Sequence, residues 1–496
     1  MSTESFDVIV VGGGNAALCA ALSARESGCS VLLLERAPED QRGGNSSFAG
    51  GNWRTVYDGL EDIKKIVPDL TDEEIATTDF GSYSESDFYD DMARVTQYRT
   101  NPDLCELLVT RSLQTLIWMQ SKGVRFVPYY GRQSFKVDGR HKFWGGLTIT
   151  TSGGGQGLVD SLFARAIQEG IEVRYDARVE RLLGDEGGVS GVEVGGIGRL
   201  RREIHARAVI LACGGFEVNA EWRTRYLGKG WDLAKVRGTR FNTGDGLRMA
   251  LEAGAQPFGH WSGCHAVGWD RYATDYGDMT MSADFQRHSY PYGLMVNIAG
   301  NRFVDEGADL RPYTYAKYGH VVLEQPGQCA WQVYDAKVAH LLRKEYRGRY
   351  VTRATGNTIP ELIERMEGVD KQQLQRTIDE YNRAVKDDRP FDPTAKDGRA
   401  TDGLAIPKSN WAQRIDQPPF EAYAITCGVT FTFGGVKVTT AGEIVDTLDL
   451  PIPGLFAAGE MVGGIFYFNY PGGTGLTSGA VFGRIAGASA AQHAKS

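Results

Sequence analysis

Two tyrosines lie just before a glycine-rich loop near residue 470, in the stretch 463-GGIFYFNYPGGTGL-476. A tyrosine, whose reference pKa is about 10, can donate a neutral hydrogen bond, or act as a base where its environment lowers that pKa. A glycine-rich loop lets the backbone approach a ligand closely. Tyr467 and Tyr470 are therefore candidate catalytic residues beside a predicted ligand-contacting loop. The alternative for Tyr470 is an aromatic ring that only packs against the ligand.

The segment from residue 6 to 36, FDVIVVGGGNAALCAALSARESGCSVLLLER, has the strongest pattern in the chain. An apolar run from Val8 to Val11 predicts a buried parallel strand. The motif G-x-G-x-x-A beginning at Gly12 opens a helical pattern, and a second strand ends at Glu35, 23 positions later. This order predicts a dinucleotide site, with a pyrophosphate at the helix N-terminus and the acid on a ribose hydroxyl. An ordinary strand–helix–strand unit with a glycine-rich turn is the alternative.

Length and composition narrow the class of protein. The 496 residues suggest two to four domains at about 100–200 residues each. A formal net charge of -8 argues against a nucleic-acid partner, which would need a basic face. No run of 18 apolar residues predicts a transmembrane helix, and the acidic N-terminus MSTESFD is unlike a secretory signal. The expected localisation is cytoplasmic.

The seven cysteines give no sign of a metal or iron–sulfur site, since no two of them have C-x-x-C spacing. They are expected to be reduced thiols in a reducing compartment. No metal ligands are predicted.

A second glycine-rich stretch, 42-RGGNSSFAGGN-52, follows the ribose acid closely. It resembles the flavin-contacting loop of the succinate dehydrogenase/fumarate reductase flavoprotein family, which has a similar GGN-[ST]-x-x-A-x-GG pattern. The resemblance favours FAD over NAD as the cofactor. It also implies non-covalent FAD, because this loop lacks the histidine to which respiratory relatives attach the flavin. No second GxGxxG follows, so NAD(P)H is not expected as the direct reductant.

The resemblance covers nearly the whole chain and is strongest to the group of FAD-dependent tricarballylate dehydrogenases. The shared stretches are long and specific to that group. They are 306-EGADLRPYTYAKYG-319, 407-PKSNWAQRID-416 and GEMVGG-x-F-Y-x-N-YPGG-x-GLTSGAVFGRIAG from residue 459. More distantly, the chain is similar to flavoprotein ketosteroid dehydrogenases, in which a tyrosine before a glycine-rich loop polarises a ketone.

The residues that the motifs and the resemblance assign to FAD lie at strand ends, in glycine-rich loops or at helix N-termini. They are Gly12, Gly14, Asn15, Ala16, Glu35, Arg36, Gly43, Gly44, Asn45, Ser46, Gly50, Gly51, Val179, Ala212, Gly214, Asp245, Gly459, Glu460, Gly475, Leu476 and Thr477.

The predicted fold class is α/β, with a discontinuous Rossmann-like FAD-binding domain and an inserted α+β capping domain. The FAD-binding domain is expected at residues 1–261 and 426–496. The capping domain is expected at residues 262–425, where the composition becomes aromatic, polar and charged. It should contain one clear helix at 371–385. A capping domain that closes over the flavin would exclude water from the reaction.

The chain departs from soluble fumarate reductases where those enzymes hold a substrate carboxylate. Tyr470 stands where their motif G-A-N-R-L-G-G has an arginine. Thr430 and Phe431 stand where they have paired histidines. Their proton-donor arginine corresponds best to Arg311, one position further on than expected.

The candidate catalytic residues are thus Arg311, Tyr470, Tyr313, Tyr467, His288 and Arg287. Arg311 is the first choice for proton transfer or carbonyl binding, and its alternative is a salt bridge to Glu306 or Asp309. Tyr315, His260 and His265 are weaker candidates, which could equally be structural. Arg287 could equally be a solvated surface residue.

The expected reaction is desaturation of a carbon–carbon bond next to a carbonyl or carboxylate, with hydride transfer to flavin N5 and proton transfer to a base. The substrate is a tricarballylate-like polycarboxylate or a ketone, including a cyclic ketone of the ketosteroid type. An alkene reductase running in the reverse direction and an electron-transfer flavin subunit of a complex are the other possibilities. The electron acceptor would be oxygen, a quinone or a separate redox protein.

Overall fold

The computed structural model describes residues 4–143, 146–185, 187–195, 201–281 and 284–496. In chain order, the α-helices are α1 (Asn15–Glu26), α2 (Gly44–Ser47), α3 (Gly59–Ile66), α4 (Asp72–Thr77), α5 (Glu85–Val95), α6 (Pro102–Ser121), α7 (Tyr130–Gln133), α8 (Gly154–Gln168), α9 (Ala220–Trp222), α10 (Asp245–Glu252), α11 (Tyr315–Leu323), α12 (Ile359–Arg365), α13 (Lys371–Ala384) and α14 (Thr474–Lys495).

The β-strands are β1 (Ser5–Val11), β2 (Val31–Leu34), β3 (Asn52–Trp53), β4 (Tyr57–Asp58), β5 (Thr78–Asp79), β6 (Ser82–Tyr83), β7 (Phe126–Pro128), β8 (Ser134–Val137), β9 (Arg140–Phe143), β10 (Ile149–Thr151), β11 (Glu172–Arg174), β12 (Arg178–Asp185), β13 (Gly188–Gly195), β14 (Arg202–Leu211), β15 (Lys235–Val236), β16 (Pro257–Asp270), β17 (Leu294–Asn297), β18 (Cys329–Tyr334), β19 (Arg353–Gly356), β20 (Phe420–Val436), β21 (Glu443–Val445) and β22 (Pro451–Ala457).

The chain divides into two compact units. Unit 1 consists of Met1–Asp232, Gly238–Cys264 and Thr430–Ser496, and unit 2 consists of Leu233–Arg237 and His265–Val429. The boundaries expected from the sequence follow residues 261 and 425, whereas the units change after residues 264 and 429. The short segment 233–237 has no compositional signal, and it belongs to unit 2 because β15 pairs with β20.

Five parallel strands form the middle of the main sheet of unit 1, in the order β11-β2-β1-β14-β22. Their apolar, β-branched sequences are buried, as the run at Val8–Val11 predicts. Val11 pairs with Leu211, and Leu211 pairs with Ala457, so β1, β14 and β22 end side by side. Ligands of open parallel sheets bind at this carboxyl edge. The antiparallel strands β13 and β12 continue the sheet beside the first half of β14.

Helices α1 and α14 pack together through small residues. A Cβ atom on Gly483 would overlap the carbonyl oxygen of Ala16, and one on Gly487 would overlap that of Ala20. Only glycine permits such a close approach of two helix backbones. The packing brings the N-terminus of α14 next to the start of α1.

Unit 2 is built on the antiparallel strands β17, β18, β20 and β19. Helix α13, which corresponds to the helix predicted at 371–385, buries its apolar face in the same core. That core includes Leu294, Trp331, Ile378 and Phe420.

None of the helices in the described ranges combines the length and the apolar character that a membrane span requires.

The helix contact makes a stability prediction. Gly483→Ala should destabilise the protein by about 1–3 kcal/mol, because the added methyl group overpacks the contact with α1. Helix propensity alone would change stability in the opposite direction, by about 1 kcal/mol in favour of alanine. Urea unfolding measures the difference, and Gln492→Ala on the exposed face of α14 is the control, with an expected change below about 0.5 kcal/mol. A Gly483→Ala variant more stable than the wild type would contradict the close contact.

Candidate functional site

The turn between β1 and α1 contains glycines at positions where neighbouring protein atoms leave no room for a side chain. Gly12 has a φ of +113°, and a Cβ atom there would overlap the carbonyl oxygen of Ala212. A Cβ atom on Gly13 would overlap the Glu35 carboxylate. At Gly14, by contrast, a Cβ atom would make only ordinary contacts, the nearest at 3.4 Å. The turn therefore leaves space at Gly14, where α1 begins and its first N–H groups point outward.

Glu35 is buried at the end of β2, next to this turn. Its carboxylate accepts a hydrogen bond from the backbone N–H of Ala37 at 2.8 Å. Burial raises the pKa of Glu35, while hydrogen bonds from the backbone of Ala37, Gly43 and Arg36 act in the opposite direction. The carboxylate thus connects the β2 end to the Gly43 loop.

Three distant segments meet at Asn15. The backbone N–H of Asn15 donates to Ser46 Oγ at 2.9 Å, and its side-chain Nδ2 donates to the carbonyl oxygen of Leu476 at 2.8 Å. The predicted cofactor residues Asn15, Ser46 and Leu476 are therefore in direct contact. Ala16, the next residue, packs against Gly459, whose Cβ atom would lie 2.7 Å from that of Ala16.

The Gly43 loop is the start of α2. Gly43 and Gly44 both have positive φ angles, of 96° and 53°, and a Cβ atom on Gly44 would meet nothing within 4 Å. The same loop continues to Gly50 and Gly51, whose carbonyl oxygens accept from the Thr150 hydroxyl at 3.2 and 2.9 Å. The loop is thus anchored at its far end and open at Gly44.

Arg36, Arg178 and Asp245 form an ion-pair group at the N-terminus of α10. Asp245 accepts from Arg36 at 3.0 Å and from Arg178 at 3.0 and 3.1 Å. Val179 follows Arg178 in β12 at a β-bulge. This arrangement brings the predicted residues Arg36, Val179 and Asp245 together, with the Asp245 carboxylate already paired.

The loops after β14 and β22 carry the remaining predicted cofactor residues. The backbone N–H of Ala212 donates to the carbonyl oxygen of Val11 at 2.9 Å. Gly214 has a φ of +74°, and a Cβ atom there would overlap the Asn242 side chain. Glu460 is bonded by the backbone N–H of Thr432 at 2.6 Å and by its hydroxyl at 2.9 Å.

The residues at this sheet edge fit FAD. A Cβ atom on Gly14 would make only ordinary contacts and one on Gly44 would meet nothing within 4 Å, so both glycines leave room for the approach of a pyrophosphate. At the N-terminus of α14, the Thr474 hydroxyl is fully buried and has no hydrogen-bond partner among the described residues. Such an orphaned group is explained by an absent ligand. The predicted Gly475 and Thr477 lie in the same first turn.

Tyr470 lies in a buried aromatic cluster in unit 1. Its ring packs edge-on against Phe431 and Phe466, with ring centroids 5.2 and 5.5 Å away. The side chain is only 7% exposed. A Cβ atom on Gly475 would lie 3.8 Å from the Tyr470 ring and 3.7 Å from Phe431, which places the cluster at the start of α14. This position brings Tyr470 and the α14 part of the predicted cofactor site together.

Tyr467 belongs to a second stack, with His260. The two ring centroids are 5.8 Å apart and nearly parallel. The Nδ1 atom of His260 accepts the backbone N–H of Phe468 at 3.0 Å, which supports the left-handed φ of +61° at Phe468. Burial, and then the Arg99 charge, lower the pKa of His260, and burial raises the pKa of Tyr467. Both side chains are therefore neutral near pH 7, and Tyr467 is poorly suited to act as a base.

Arg54 is a residue of this region that the sequence pattern did not single out. Its buried guanidinium donates to the carbonyl oxygen of Gly472 at 3.0 Å and pairs with Asp91 at 3.1 Å. Its own carbonyl oxygen accepts from the Thr477 hydroxyl at 2.8 Å. Arg54 therefore holds the loop that follows Tyr470. Its position two residues after the motif 42-RGGNSSFAGGN-52 is the one signal in the sequence.

A cluster in unit 2 surrounds Tyr315. The imidazoles of His265 and His288 lie 5.2 and 5.1 Å from the Tyr315 ring, and the Arg311 guanidinium lies 5.8 Å from it. Burial, and then the Arg237 charge, lower the pKa of His265 well below its usual value. His265 is therefore neutral near pH 7. The predicted residues Arg311 and His288 are thus brought together by Tyr315.

Arg287 and Tyr313 are the two other candidate residues of unit 2. Arg287 is fully buried in an ion pair with Asp270 at 2.9 Å and also donates to three backbone carbonyl oxygens. These contacts are those of a structural residue, and they differ from both the substrate contact and the solvated surface expected from the sequence. Tyr313 is buried in the short turn that begins at Arg311. Glu306, the expected salt-bridge partner of Arg311, pairs with Arg302 at 2.6 Å.

Comparison with known proteins identifies the family. A family described as FAD binding domain matches residues 7–476. The chain belongs to this FAD-binding family. The fumarate reductase (cytochrome) of Shewanella frigidimarina is 29% identical over 99% of this chain and 78% of its own length. The 4-oxocyclohexanecarboxylate 2-dehydrogenase of Sinomonas cyclohexanicum is 27% identical over 98% of this chain and 94% of its own length.

The fold of this FAD-binding protein also occurs in a solved structure. The 3-ketosteroid delta1-dehydrogenase from Sterolibacterium denitrificans superimposes with a TM-score of 0.75, at 20% identity over 99% of this chain and 100% of that one. The α/β fold class, FAD as the cofactor and the fumarate reductase-like flavoprotein family are confirmed. The protein is an FAD-dependent oxidoreductase acting on carbon–carbon bonds. The tricarballylate group, non-covalent attachment and the roles of individual residues stay predictions.

The Arg54 contacts make a second stability prediction. Arg54→Met should cost about 3 kcal/mol, the lower end for breaking a buried ion pair, because the Asp91 side chain is 13% exposed. Arg94 pairs with the same Asp91 at 3.3 Å but is 48% exposed, so the control Arg94→Met should cost less than about 1 kcal/mol. Urea unfolding of both variants compares the two costs. Equal effects of the two substitutions would show that Arg54 is no buried anchor.

Proposed function

We propose that this flavoprotein desaturates a carbon–carbon bond next to a ketone carbonyl. The observation that carries the proposal is the buried aromatic cluster around Tyr470 at the start of α14. Tyr470 contacts Phe431 and Phe466, and neither 428-GVTFTFGG-435 nor 463-GGIFYFNYPGGTGL-476 contains a charged residue. Carboxylates are held by arginine through paired, charged hydrogen bonds, whereas a ketone oxygen needs only a neutral donor. A buried tyrosine supplies such a donor.

The relatives support a ketone substrate, but they include both a dehydrogenase and a reductase, so experiment must decide the direction of the reaction. A dehydrogenase of 4-oxocyclohexanecarboxylate matches nearly its whole length with this chain. By its name that substrate carries both a ketone and a carboxylate, so one carboxylate contact is compatible with the proposal. The fumarate reductase relative supports the alternative of a reductase that saturates an activated alkene, since the same residues serve both directions.

In the proposed reaction, the Tyr470 hydroxyl donates a hydrogen bond to the ketone oxygen. This bond stabilises the negative charge that develops on the oxygen as the α-carbon loses its proton to a base. The neighbouring carbon loses a hydride in the same reaction, and FAD, when bound, supplies the acceptor for it. The Tyr470 ring is buried against Phe431 and Phe466, and a hydrogen bond from its hydroxyl would be stronger in such a medium of low polarity than in water.

Within unit 2, we assign Arg311 and Tyr315 to contact with the substrate or to proton transfer. Arg311 is a cation of this cluster, and the His265 imidazole is neutral near pH 7. An arginine in this cluster could bind a carboxylate, which is compatible with a substrate that carries a ketone and one carboxylate. The electron acceptor is proposed to be oxygen, a quinone or a separate redox protein.

The experiment that tests the proposal is anaerobic reduction of the bound flavin, followed as loss of its visible absorbance, with a panel of cyclic ketones, ketosteroids and polycarboxylates. A cyclic ketone should bleach the flavin and tricarballylate should not. Tyr470→Phe should then lower the rate of bleaching about 100-fold, as for loss of one hydrogen bond to a developing oxyanion, with the FAD content unchanged.

Tyr98→Phe is the matched control in unit 1, because Tyr98 is 83% exposed. It should bleach at the wild-type rate. Bleaching by tricarballylate alone, or a Tyr470→Phe variant as fast as the wild type with a ketone, would overturn the proposal. Oxidation of a reduced flavin by an alkene, without bleaching by any saturated ketone, would establish the reductase alternative.

The second functional prediction concerns Arg311. Arg311→Lys should lower kcat by about tenfold or more with FAD still bound, because lysine lacks the planar fork of donors and stacks less well on Tyr315. Arg349, which lies 5.6 Å from the Tyr350 ring at the surface of unit 2, provides the control Arg349→Lys. Steady-state kinetics with the ketone found above measures both. Equal kcat values in the two variants would exclude Arg311 from the chemistry.

A further inference from the structure

A strained turn precedes Tyr470 in unit 1. The backbone N–H of Asn469 donates to the carbonyl oxygen of Tyr467 at 2.6 Å, and Phe468 between them has a φ of +61°. A three-residue turn with a positive φ at its centre is a γ-turn of the rare, strained form. A bulky aromatic residue rarely adopts such a φ. Strain of this kind persists only where neighbouring groups hold the backbone in place.

His260 supplies the group that holds this turn. Its Nδ1 atom accepts the backbone N–H of Phe468 at 3.0 Å. The imidazole also stacks on Tyr467, with ring centroids 5.8 Å apart, and lies 4.8 Å from the Phe468 ring. Three contacts of one side chain therefore converge on two of the three residues that form the turn.

The place of the His260 imidazole is built into the strands around it. A Cβ atom on Gly263 of β16 would lie 2.1 Å from His260 Nδ1, so glycine at that position leaves the space that the ring occupies. The Phe433 ring of β20 also packs against the imidazole, with centroids 6.3 Å apart. The imidazole is thus confined by its neighbours while its Nδ1 atom faces the turn.

Tyr470 lies between two anchored points of the chain. On the N-terminal side, His260 binds the backbone of Phe468, and a single residue separates Phe468 from Tyr470. On the C-terminal side, the Arg54 guanidinium donates to the carbonyl oxygen of Gly472 at 3.0 Å. The path of the backbone into Tyr470 consequently depends on the turn that His260 holds.

We propose that His260 is a positioning residue for Tyr470, which holds the Phe468 turn through its unprotonated Nδ1 atom and thereby directs the Tyr470 hydroxyl towards the substrate. The inference rests on the role of Tyr470 in the proposed ketone desaturation. Because Nδ1 accepts a hydrogen bond, the proton of the neutral ring lies on Nε2. An imidazolium has an N–H group at both nitrogens and accepts no hydrogen bond, so protonation of His260 releases the turn.

Acid is therefore the condition that should weaken this positioning. Burial, and then the Arg99 charge, lower the pKa of His260. The Arg99 guanidinium lies 6.0 Å from the Phe468 ring, and Tyr467 stacked on the imidazole is neutral near pH 7 because burial raises its pKa. The third neighbour, Phe433, carries no charge. The hydrogen bond is thus fully present above about pH 6.5 and is lost as the pH falls through the lowered pKa.

Two substitutions of His260 separate the hydrogen bond from the rest of the side chain. Asparagine keeps an acceptor oxygen close to the place of Nδ1 and does not titrate, whereas leucine has no acceptor. At pH 7.5, hydrogen exchange of the FAD-bound protein, followed by mass spectrometry, should show the Phe468 amide exchanging about tenfold or more faster in His260→Leu than in the wild type. His260→Asn should exchange at the wild-type rate, as should the control His493→Leu, which replaces an exposed histidine of unit 1.

Anaerobic bleaching of the flavin with the ketone found above measures the effect on Tyr470. At pH 7.5, His260→Leu should bleach about tenfold more slowly than the wild type with its FAD content unchanged, because a misplaced hydroxyl stabilises the developing charge less well. His260→Asn should stay within about twofold of the wild type, since its acceptor is retained. From pH 7.5 to pH 5, the ratio of the His260→Asn rate to the wild-type rate should rise about threefold or more, because only the wild type loses its acceptor.

Exchange at the wild-type rate in His260→Leu would overturn the inference, as would a His260→Asn variant that bleaches as slowly as His260→Leu. Wild-type bleaching in His260→Leu despite faster exchange would also overturn it, because the turn would then not position Tyr470. If His260→Leu does not fold, a ratio of His260→Asn to wild-type rates that is constant with pH would overturn it. The exchange measurement involves no substrate. Failure of every ketone to bleach the flavin, with exchange altered as expected, would therefore overturn the proposed function and support the His260 contact.

Discussion

The close contact between α1 and α14 is the constraint on which the cofactor site depends. Gly483 and Gly487 let the two helix backbones meet, and this sets the N-terminus of α14 beside the β1–α1 turn. The bond from Asn15 Nδ2 to the Leu476 carbonyl oxygen then joins residues 461 positions apart. This packing also fixes where the start of α14 lies, and with it the aromatic cluster that contacts Gly475 through Phe431 and Tyr470.

Several side chains near Tyr470 are aromatic or neutral. Tyr470 packs against Phe431 and Phe466 at the start of α14, and burial keeps His260 and Tyr467 uncharged near neutral pH. In unit 2, the His265 imidazole is neutral for the same reason. Low polarity strengthens each remaining hydrogen bond. The same burial that removes charges therefore makes a single tyrosine hydroxyl an effective donor.

Local patterns were sufficient for the parts of the site that lie within one strand–helix–strand unit. The β1–α1–β2 order, the glycine turn and Glu35 follow from periodicity and spacing over about 30 residues. The contacts of Glu217 and Arg54 could not be predicted from the sequence, because their partners are far away along the chain. Glu217 contacts Asn45, 172 positions away, and Arg54 contacts Gly472, 418 positions away. Similarly, the buried pairing of Arg287 with Asp270 has no periodic signal, so an arginine of that segment could be assigned to substrate only by resemblance.

The large separation of these contacting residues along the chain has a consequence for folding during synthesis. The β1–α1 turn precedes unit 2 in the chain, but its partner Leu476 follows the last segment of unit 2. During synthesis, the face of α1 that packs against α14 stays uncovered until α14 has been made. The contact between Asn15 and Leu476 can therefore form only after unit 2 has been synthesised.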